Sequence, residues 1–371
     1  MILYPQLILD ALSHVKYPGT GKDIVSSEMI EDNLRIDGNN VSFSIIFEKE
    51  NDPFAKSLLK AAEASIKHYI ADEGEINVSI TPKFRIAAPK KDPDNPLPGV
   101  KNIIAVSSGK GGVGKSTVSA NLAVALAQAG YKVGLLDADI FGPSVPKMFG
   151  LEDARPILED KNAEGRELIR PEEKYGVKML SIGFFVNPKD AVLWRGGMAS
   201  NALKQLITDA NWGELDYFLL DLPPGTSDIH LTLVQTLALT GAIVVSTPQE
   251  VALADARKGI AMFTGEKVNV PIIGLVENMA WFTPAELPQN KYYLFGKEGC
   301  KRLAEEMNVP LLGQIPIVQS ICECGDSGAP IALNTESMTG LAFASLAERM
   351  VSSVEEIKSK GIKTSRVITH K

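Results

Sequence analysis

The sequence predicts an α/β fold: a doubly wound, mostly parallel sheet of the phosphate-loop type, preceded by a small α/β domain. After residue 101, short apolar runs alternate with stretches of helical periodicity. The runs are continuously apolar, which is typical of parallel strands that helices cover on both faces. A glycine-rich turn joins the first run to the helix after it. Ligands of such sheets bind at the carboxyl ends of the strands.

Length and composition restrict the class of protein. A chain of 371 residues suggests two domains, and 45% hydrophobic with 22% charged residues is typical of globular proteins. The net charge of −7 argues against broad nucleic-acid binding, and no apolar run approaches the ~20 residues of a membrane span. We therefore expect neither a nucleic-acid nor a membrane partner. Three cysteines do not form a disulfide framework, which favours a reducing cytoplasm.

The small domain is predicted at residues 1–88, because its periodic segments are short and contain no nucleotide motif. Helical or turn segments are predicted at 8–15 and 24–34, an amphipathic helix at 55–69, and strands at 41–47 and 76–80. Residues 89–100 contain four prolines together with Lys90, Lys91, Asp92 and Asp94. They are predicted to be a semi-extended linker.

The large domain is predicted at residues 101–371, where seven apolar runs have the length of strands. These runs are 103–106, 133–136, 178–182, 217–220, 242–245, 272–276 and 311–315. Helical stretches lie between most of them, so the strands can pair in parallel through helical crossovers.

A phosphate-binding loop follows the first of these strands. Gly109, Gly114, Lys115 and Ser116 fit the pattern G-x-x-x-x-G-K-[ST]. Glycines let backbone N–H groups approach phosphate oxygens, while the lysine reaches the β- and γ-phosphates and the serine hydroxyl ligates Mg²⁺. The predicted nucleotide contacts are Ser108, Gly109, Lys110, Gly111, Gly112, Val113, Gly114, Lys115, Ser116 and Thr117.

Carboxylates end two further strands. Asp137 and Asp139 follow the second strand, and their spacing lets one of them face a magnesium–phosphate site. Asp221 ends the apolar run 217–220, as in a Walker B motif, whose carboxylate holds Mg²⁺. The sequence Pro-Pro-Gly-Thr at 223–226 would then be a switch loop, with Gly225 bringing its N–H towards the γ-phosphate.

Lys110 refines this assignment, because it places a lysine directly after the first glycine of the loop. The run KGGVGKS at 110–116 resembles the deviant Walker A motif of the MinD, ParA and nitrogenase-iron-protein class. That resemblance implies a dimer in which Lys110 reaches the partner's phosphates, as an arginine finger does. It also implies that Asp139 orients the attacking water, that Asp137 supports the metal, and that Asn278 recognises adenine. Lys110, Lys115 and Asp139 are the implied catalytic residues.

Most of the chain resembles one branch of this class. The sequences DIFGPS at 139–144, LWRGGM at 193–198 and GDSG at 325–328 are similar to segments of the Mrp/ApbC family of iron–sulfur cluster carriers. PGTGKDIVS at 18–26 resembles the MIP18-like module (domain of unknown function 59) that precedes the ATPase domain in that family. The resemblance implies a homodimeric, slow, Mg²⁺-dependent ATPase that hands iron–sulfur clusters to apoproteins.

The cysteines depart from the family pattern. A Cys-x-x-Cys pair is expected shortly after Glu277-Asn278, but residues 281–288 read WFTPAELP. The small module also lacks its usual cysteine, since 51–54 reads NDPF. Cys322 and Cys324, predicted in the loop after strand 311–315, are a candidate substitute pair of cluster ligands. The alternative is that they are small packing residues.

Two other functions remain open. A positioning switch of the ParA or MinD kind would use ATP-gated dimerisation on DNA or membrane. The basic tail at 358–366 lacks the apolar face of a membrane anchor, and a fused MIP18-like module has no place in that scheme. A redox donor like the nitrogenase iron protein would need the missing cysteine pair.

Overall fold

The computed structural model describes residues 3–18, 21–27, 29–31, 33–47, 52, 54–70, 76–84, 95–159, 167–185, 196–284, 286–287, 289–362 and 366. The chain divides into two compact units, Met1–Lys90 and Lys91–Lys371. Several sequence-based predictions fall partly outside the described residues. In the small module these are positions 19–20, 51 and 53, and in the linker they are 89–94. In the large domain they are 193–195 of the LWRGGM motif, 285 and 288 of the segment WFTPAELP, and 363–365 of the tail.

The small unit pairs a three-stranded sheet with two helices. Its elements are α1 (Pro5–Leu12), β1 (Arg35–Asp37), β2 (Asn40–Phe47), α2 (Ala55–Tyr69) and β3 (Asn77–Phe84). β2 lies in the centre, antiparallel to β1 and parallel to β3. Ile8, Leu12, Ile45 and Ile66 are fully buried between the helices and the sheet. The described residues between 24 and 34 form turns and bridges, and the three-residue β1 was not predicted.

The large unit contains the other strands and helices. In chain order these are β4 (Ile103–Ser107), α3 (Lys115–Gln128), β5 (Val133–Asp137), α4 (Val145–Met148), β6 (Glu172–Lys174), β7 (Val177–Ser181), α5 (Gly196–Thr208), β8 (Tyr217–Asp221), α6 (Asp228–Thr236), β9 (Gly241–Ser246), α7 (Glu250–Thr264), β10 (Ile272–Phe282), α8 (Gly299–Met307), β11 (Leu311–Ile317), α9 (Gln319–Asp326) and α10 (Met338–Ser359). The seven predicted strands correspond to β4, β5 and β7–β11.

The eight strands form one sheet in the order β11-β10-β9-β4-β8-β5-β7-β6. All neighbours are parallel except β6, which pairs antiparallel with β7 at the edge. Every residue of β4, β5, β8 and β9 is buried, as continuous apolar runs predict. β6 was missed because its residues, Glu172-Glu173-Lys174, have no apolar run. The predicted doubly wound fold is therefore confirmed.

The large unit begins before the first predicted strand. Leu97 is buried, and Val100 forms a parallel bridge with Leu215, so the last part of the predicted linker packs on this unit. Among the described residues, we find no helix with the length and apolar character that crossing a bilayer requires.

Candidate functional site

The phosphate loop connects the central strand β4 to helix α3. Gly114 is the N-cap of α3 with φ +82°, a left-handed conformation that favours glycine. Ser108 and Val113 are buried, whereas Lys110, Gly111 and Gly112 are exposed at the surface of the loop. The N–H groups at the start of α3 therefore lie at the carboxyl edge of the sheet, where an anion is stabilised by the helix N-terminus.

Gly109 packs so closely against helix α7 that there is no room for a side chain, a constraint that the phosphate-loop motif does not explain. A Cβ atom on Gly109 would lie 2.2 Å from the carbonyl carbon of Asp255 and 2.5 Å from the amide nitrogen of Ala256. Both atoms belong to the backbone of α7, which has no freedom to rotate away. The loop thus rests directly on α7, a contact that the sequence alone does not indicate.

Lys115 and Asp221 form a buried ion pair. The Lys115 Nζ lies 2.8 Å from Asp221 Oδ1, and Ser119 Oγ donates to the same oxygen at 2.7 Å. Lys115 Nζ also donates to Ser116 Oγ at 3.1 Å. Asp221 Oδ2 is buried and has no hydrogen-bond partner among the described residues. The Walker A lysine and the Walker B carboxylate, predicted from separate motifs, are thereby brought together.

Asp137 lies beside Asp221, because β5 and β8 are neighbours and these two residues are paired in register. Its carboxylate accepts hydrogen bonds from Ser181 Oγ at 3.0 Å and from the N–H groups of Val145 and Asp139. Burial and the charge of Asp221 raise the pKa of Asp137 to about 7, although Lys115 acts in the opposite direction. Ser181 was not predicted as a site residue, since a strand-end serine carries no motif.

The oxygens of this cluster suit Mg²⁺. The Ser116 hydroxyl and the carboxylates of Asp137 and Asp221 are the hard ligands that this ion prefers. The buried, unpartnered Oδ2 of Asp221 is the atom that a cation and its water shell would satisfy. The donor set therefore fits the ion that the motifs imply.

Asn278 lies under the phosphate loop, at the end of the buried part of β10. Its Nδ2 donates to the Val113 carbonyl oxygen at 2.8 Å, and its Oδ1 has no partner among the described residues. Its neighbour Glu277 is fully buried and accepts from the Cys300 N–H at 2.6 Å and from Gln314 Nε2 at 2.7 Å. Asn278 thus braces the loop. Glu277, which we did not predict, anchors β10 to α8 and β11.

The predicted switch loop at 223–226 contacts the phosphate loop through a backbone hydrogen bond. The Gly225 N–H donates to the Ser108 carbonyl oxygen at 2.8 Å, so Gly225 lies beside the loop, but its N–H is bonded to the loop itself instead of being free for the γ-phosphate. Asp139 is half-buried, and burial raises its pKa. His230 accepts a hydrogen bond from the Ser227 N–H at the start of α6. Burial, followed by the charge of Lys115, lowers the pKa of His230 to about 4.

Lys110 forms no ion pair with any described residue, and Thr117 is half-buried in the first turn of α3.

The cysteines require a correction. Cys322 and Cys324 lie in helix α9 rather than in the predicted loop. Residues two apart on a helix point about 200° away from each other, so an intact α9 cannot direct both thiols to one iron. Cys322 is exposed, Cys324 is half-buried against the core, and Cys300 is fully buried at the start of α8. Asp326 raises the pKa of Cys322.

The comparisons with known proteins cover both units. Residues 99–351 match the ParA family described as the NUBPL iron-transfer P-loop NTPase, and residues 5–80 match a family described as iron–sulfur cluster assembly protein. An iron–sulfur cluster carrier protein of Synechocystis is 41% identical over 95% of this chain and 98% of its own length. That of Aquifex aeolicus is 50% identical over 71% of this chain and 70% of its own length.

Among solved structures, a nucleotide-binding protein from Archaeoglobus fulgidus in complex with ADP resembles the large unit. It is 39% identical, covers 62% of this chain and 88% of its own length, and superposes with a TM-score of 0.54.

Proposed function

Because the chain belongs to the ParA/NUBPL family of iron-transfer P-loop NTPases, we propose that it is an ATP-dependent carrier that passes iron–sulfur clusters to apoproteins. The observation that carries this proposal is the match to a cluster carrier over 95% of the chain, which includes both units. A positioning switch has no counterpart to the small unit, which matches an iron–sulfur assembly family. The cytoplasm is the location that we propose, since the three cysteines are free thiols.

We propose that ATP binds with its triphosphate on the loop at 108–117. Lys115, held 2.8 Å from Asp221, is close enough to exchange this partner for the β- and γ-phosphates. Mg²⁺, when bound, would neutralise phosphate charge and would be held by Ser116 and Asp221, with Asp137 in support. Release of Lys115 leaves Asp221 free to accept the ion's water shell, so phosphate and metal binding are coupled through one carboxylate.

Hydrolysis is the second part of the proposal. Asp139 is half-buried near Lys115 and Asp221, where its carboxylate can orient a water molecule against the γ-phosphate. Lys110 is exposed and forms no ion pair with any described residue, so its ammonium group is available to a second copy of the chain. A site completed by a partner is slow in the monomer, because charge on the leaving phosphate is not neutralised. We therefore propose a homodimer with slow, Mg²⁺-dependent turnover.

The cargo needs thiolate ligands. The described part of the chain contains no group of three or more His, Cys, Asp or Glu side chains that could hold a metal ion. Two copies of the Cys322–Cys324 pair would supply the four thiolates of a [4Fe–4S] cluster, provided that α9 unwinds. Because both thiols reach one cluster only if α9 unwinds, substitution of this cysteine pair is the most direct test of the proposed cluster site.

Anaerobic reconstitution with iron and sulfide tests the carrier function. The parent is expected to bind iron and acid-labile sulfide and to activate an apo iron–sulfur enzyme. The Cys322→Ser, Cys324→Ser double variant serves as the comparison. Equal cluster content in both proteins would exclude the pair as ligands, and no cluster or transfer in either protein would overturn the carrier function.

A further inference from the structure

The loop between β5 and α4, residues 138–144, carries Asp139, and we call it the Asp139 loop. Its internal hydrogen bonds are those of turns. The Ile140 N–H donates to the Ala138 carbonyl oxygen at 3.0 Å. The Gly142 N–H donates to the Asp139 carbonyl oxygen at 3.2 Å. Such short-range bonds shape a turn without fixing where it lies, so contacts outside the loop must set the position of Asp139.

The Asp137 carboxylate joins the two ends of the Asp139 loop. Its Oδ1 accepts a hydrogen bond from the Asp139 N–H at 3.2 Å. Its Oδ2 accepts one from the Val145 N–H, at the start of α4, at 3.3 Å. Because Asp137 is fully buried, bulk water does not compete for these two bonds. The orientation of one carboxylate therefore determines how the loop is closed.

Ser181 sets that orientation from the neighbouring strand. β5 and β7 pair in parallel with Asp137 and Ser181 in register, and Ser181 Oγ lies 3.0 Å from Asp137 Oδ2. A serine hydroxyl has one proton to donate, and a carboxylate can only accept. The Gly183 N–H donates to the same Oγ at 3.1 Å, so the hydroxyl proton is left for Asp137. Ser181 is also fully buried, and a hydrogen bond between buried groups is costly to lose.

The turn that follows Ser181 also packs against the Asp139 loop. A Cβ atom on Gly183 would lie 3.2 Å from Pro143 Cβ and 3.3 Å from Pro143 Cγ. Pro143 belongs to the Asp139 loop, and its closed ring cannot rotate away from this contact. Residues 181–183 thus support the loop at two places, through Asp137 and at Pro143.

We propose that Ser181 is a positioning residue for ATP hydrolysis: through Asp137, it holds the Asp139 loop where Asp139 can orient the attacking water. The inference rests on the proposed ATPase activity and adds to it a residue outside the nucleotide motifs. Ser181 acts through another side chain and not on the nucleotide itself. Its loss should therefore slow the chemical step, which needs Asp139 in place, more than it weakens MgATP binding.

Steady-state hydrolysis and equilibrium MgATP binding, both measured on the full chain, test this role. Ser181→Ala should lower kcat by about tenfold or more, the factor that one hydrogen bond to a charged group can supply. Its MgATP affinity should change by less than about twofold. Val354→Ala is the matched control, because it removes buried apolar volume from α10. It should lower the melting temperature and keep the parental kcat and affinity.

Hydrogen exchange without nucleotide shows whether Ser181 acts through Asp137. Ser181→Ala should speed the exchange of residues 139–145 by about tenfold and leave the buried strand β9 unchanged. In an Asp137→Asn background, the same substitution should add less than about twofold, because the link to the loop is already weakened.

Four results would overturn this inference: an unchanged kcat in Ser181→Ala, a MgATP affinity that falls as much as kcat, an equal loss of kcat in Val354→Ala, or an increase in exchange of the same size in both backgrounds. Each would leave the proposed function intact, because the parent would still hydrolyse ATP. A parent that does not hydrolyse ATP would instead overturn the proposed hydrolysis, and this inference with it.

Discussion

The amide nitrogen of Asn278 donates to the backbone carbonyl oxygen of Val113 at 2.8 Å, a bond between the end of β10 and the phosphate loop. A carbonyl oxygen can only accept, so this bond sets the orientation of the amide and leaves Oδ1 as an acceptor. The 6-amino group of adenine donates, whereas the corresponding oxygen of guanine accepts. We therefore expect Asn278 to favour adenine over guanine, in line with the adenine recognition that the family resemblance implies for this residue.

Asn278→Ala should weaken ATP binding by about thirtyfold, because it removes two hydrogen bonds worth roughly 1 kcal/mol each. GTP is the internal control: its affinity should fall less, since it never gained the bond to Oδ1. Titration calorimetry with both nucleotides gives the two ratios. Equal losses for ATP and GTP would show that Asn278 only braces the loop.

Gly109→Ala should lower the free energy of unfolding of the nucleotide-free protein by about 1–3 kcal/mol, as overpacking does, because the new Cβ would lie 2.2 Å from the Asp255 carbonyl carbon. Gly111→Ala is the matched control in the same loop: its Cβ would meet only the Pro224 side chain at 3.8 Å. Thermal unfolding without nucleotide measures the difference. Equal melting temperatures for the two variants would contradict the close contact with α7.

Lys110→Ala should keep nucleotide affinity and lose turnover by about a hundredfold or more, because a cation supplied in trans acts on the transition state. Lys115→Ala should abolish nucleotide binding, since it removes the buried ammonium group, now paired with Asp221, that we propose binds the β- and γ-phosphates. Steady-state hydrolysis and equilibrium binding, measured on both variants, separate the two roles. Hydrolysis by Lys110→Ala at the parental rate would refute the role in trans.

Asp137 should make stability depend on pH. Its pKa is about 7 in the fold against an ordinary 3.8, so the folded state holds the extra proton between these values. The stabilisation is present below 3.8 and is lost as pH rises through 7, by at most about 1.4 kcal/mol per pH unit. Asp137→Asn is neutral throughout, so parent and variant should diverge as pH rises from 5 to 8 in urea unfolding.

His230 acts in the opposite direction, since its lowered pKa makes the fold more stable as pH rises from about 4 to 6.5. It is present in both proteins, so it cancels in the difference between them. Parallel curves for parent and Asp137→Asn would mean that Asp137 is ionised across the range.

We expect the large unit to fold and to bind ATP without the small unit. A protein that starts at residue 95 should bind ATP with the affinity of the full chain, because all predicted phosphate contacts lie in the large unit. A protein that starts at residue 101 should melt at a lower temperature, since it lacks the buried Leu97 and the bridge from Val100 to Leu215. If both truncated proteins melt together, the segment 95–100 does not stabilise the large unit.

The sequence by itself determined the features that depend on neighbouring residues. The phosphate loop needs glycines at particular steps along one short segment, and buried parallel strands need continuous apolar runs. Both requirements can be read from adjacent positions. The strands β4, β5 and β7–β11, helix α2 and the loop at 108–117 were predictable for this reason.

Only the tertiary structure decided which distant residues meet. The contacts of Gly109 with Asp255, of Asn278 with Val113, and of Ser181 with Asp137 join positions far apart in the chain. They follow from the order of strands in the sheet, which brings strand ends together without leaving a local pattern. The placement of Cys322 on α9 is of the same kind. That helix has only eight residues, which is shorter than the window in which a helical period can be recognised from sequence.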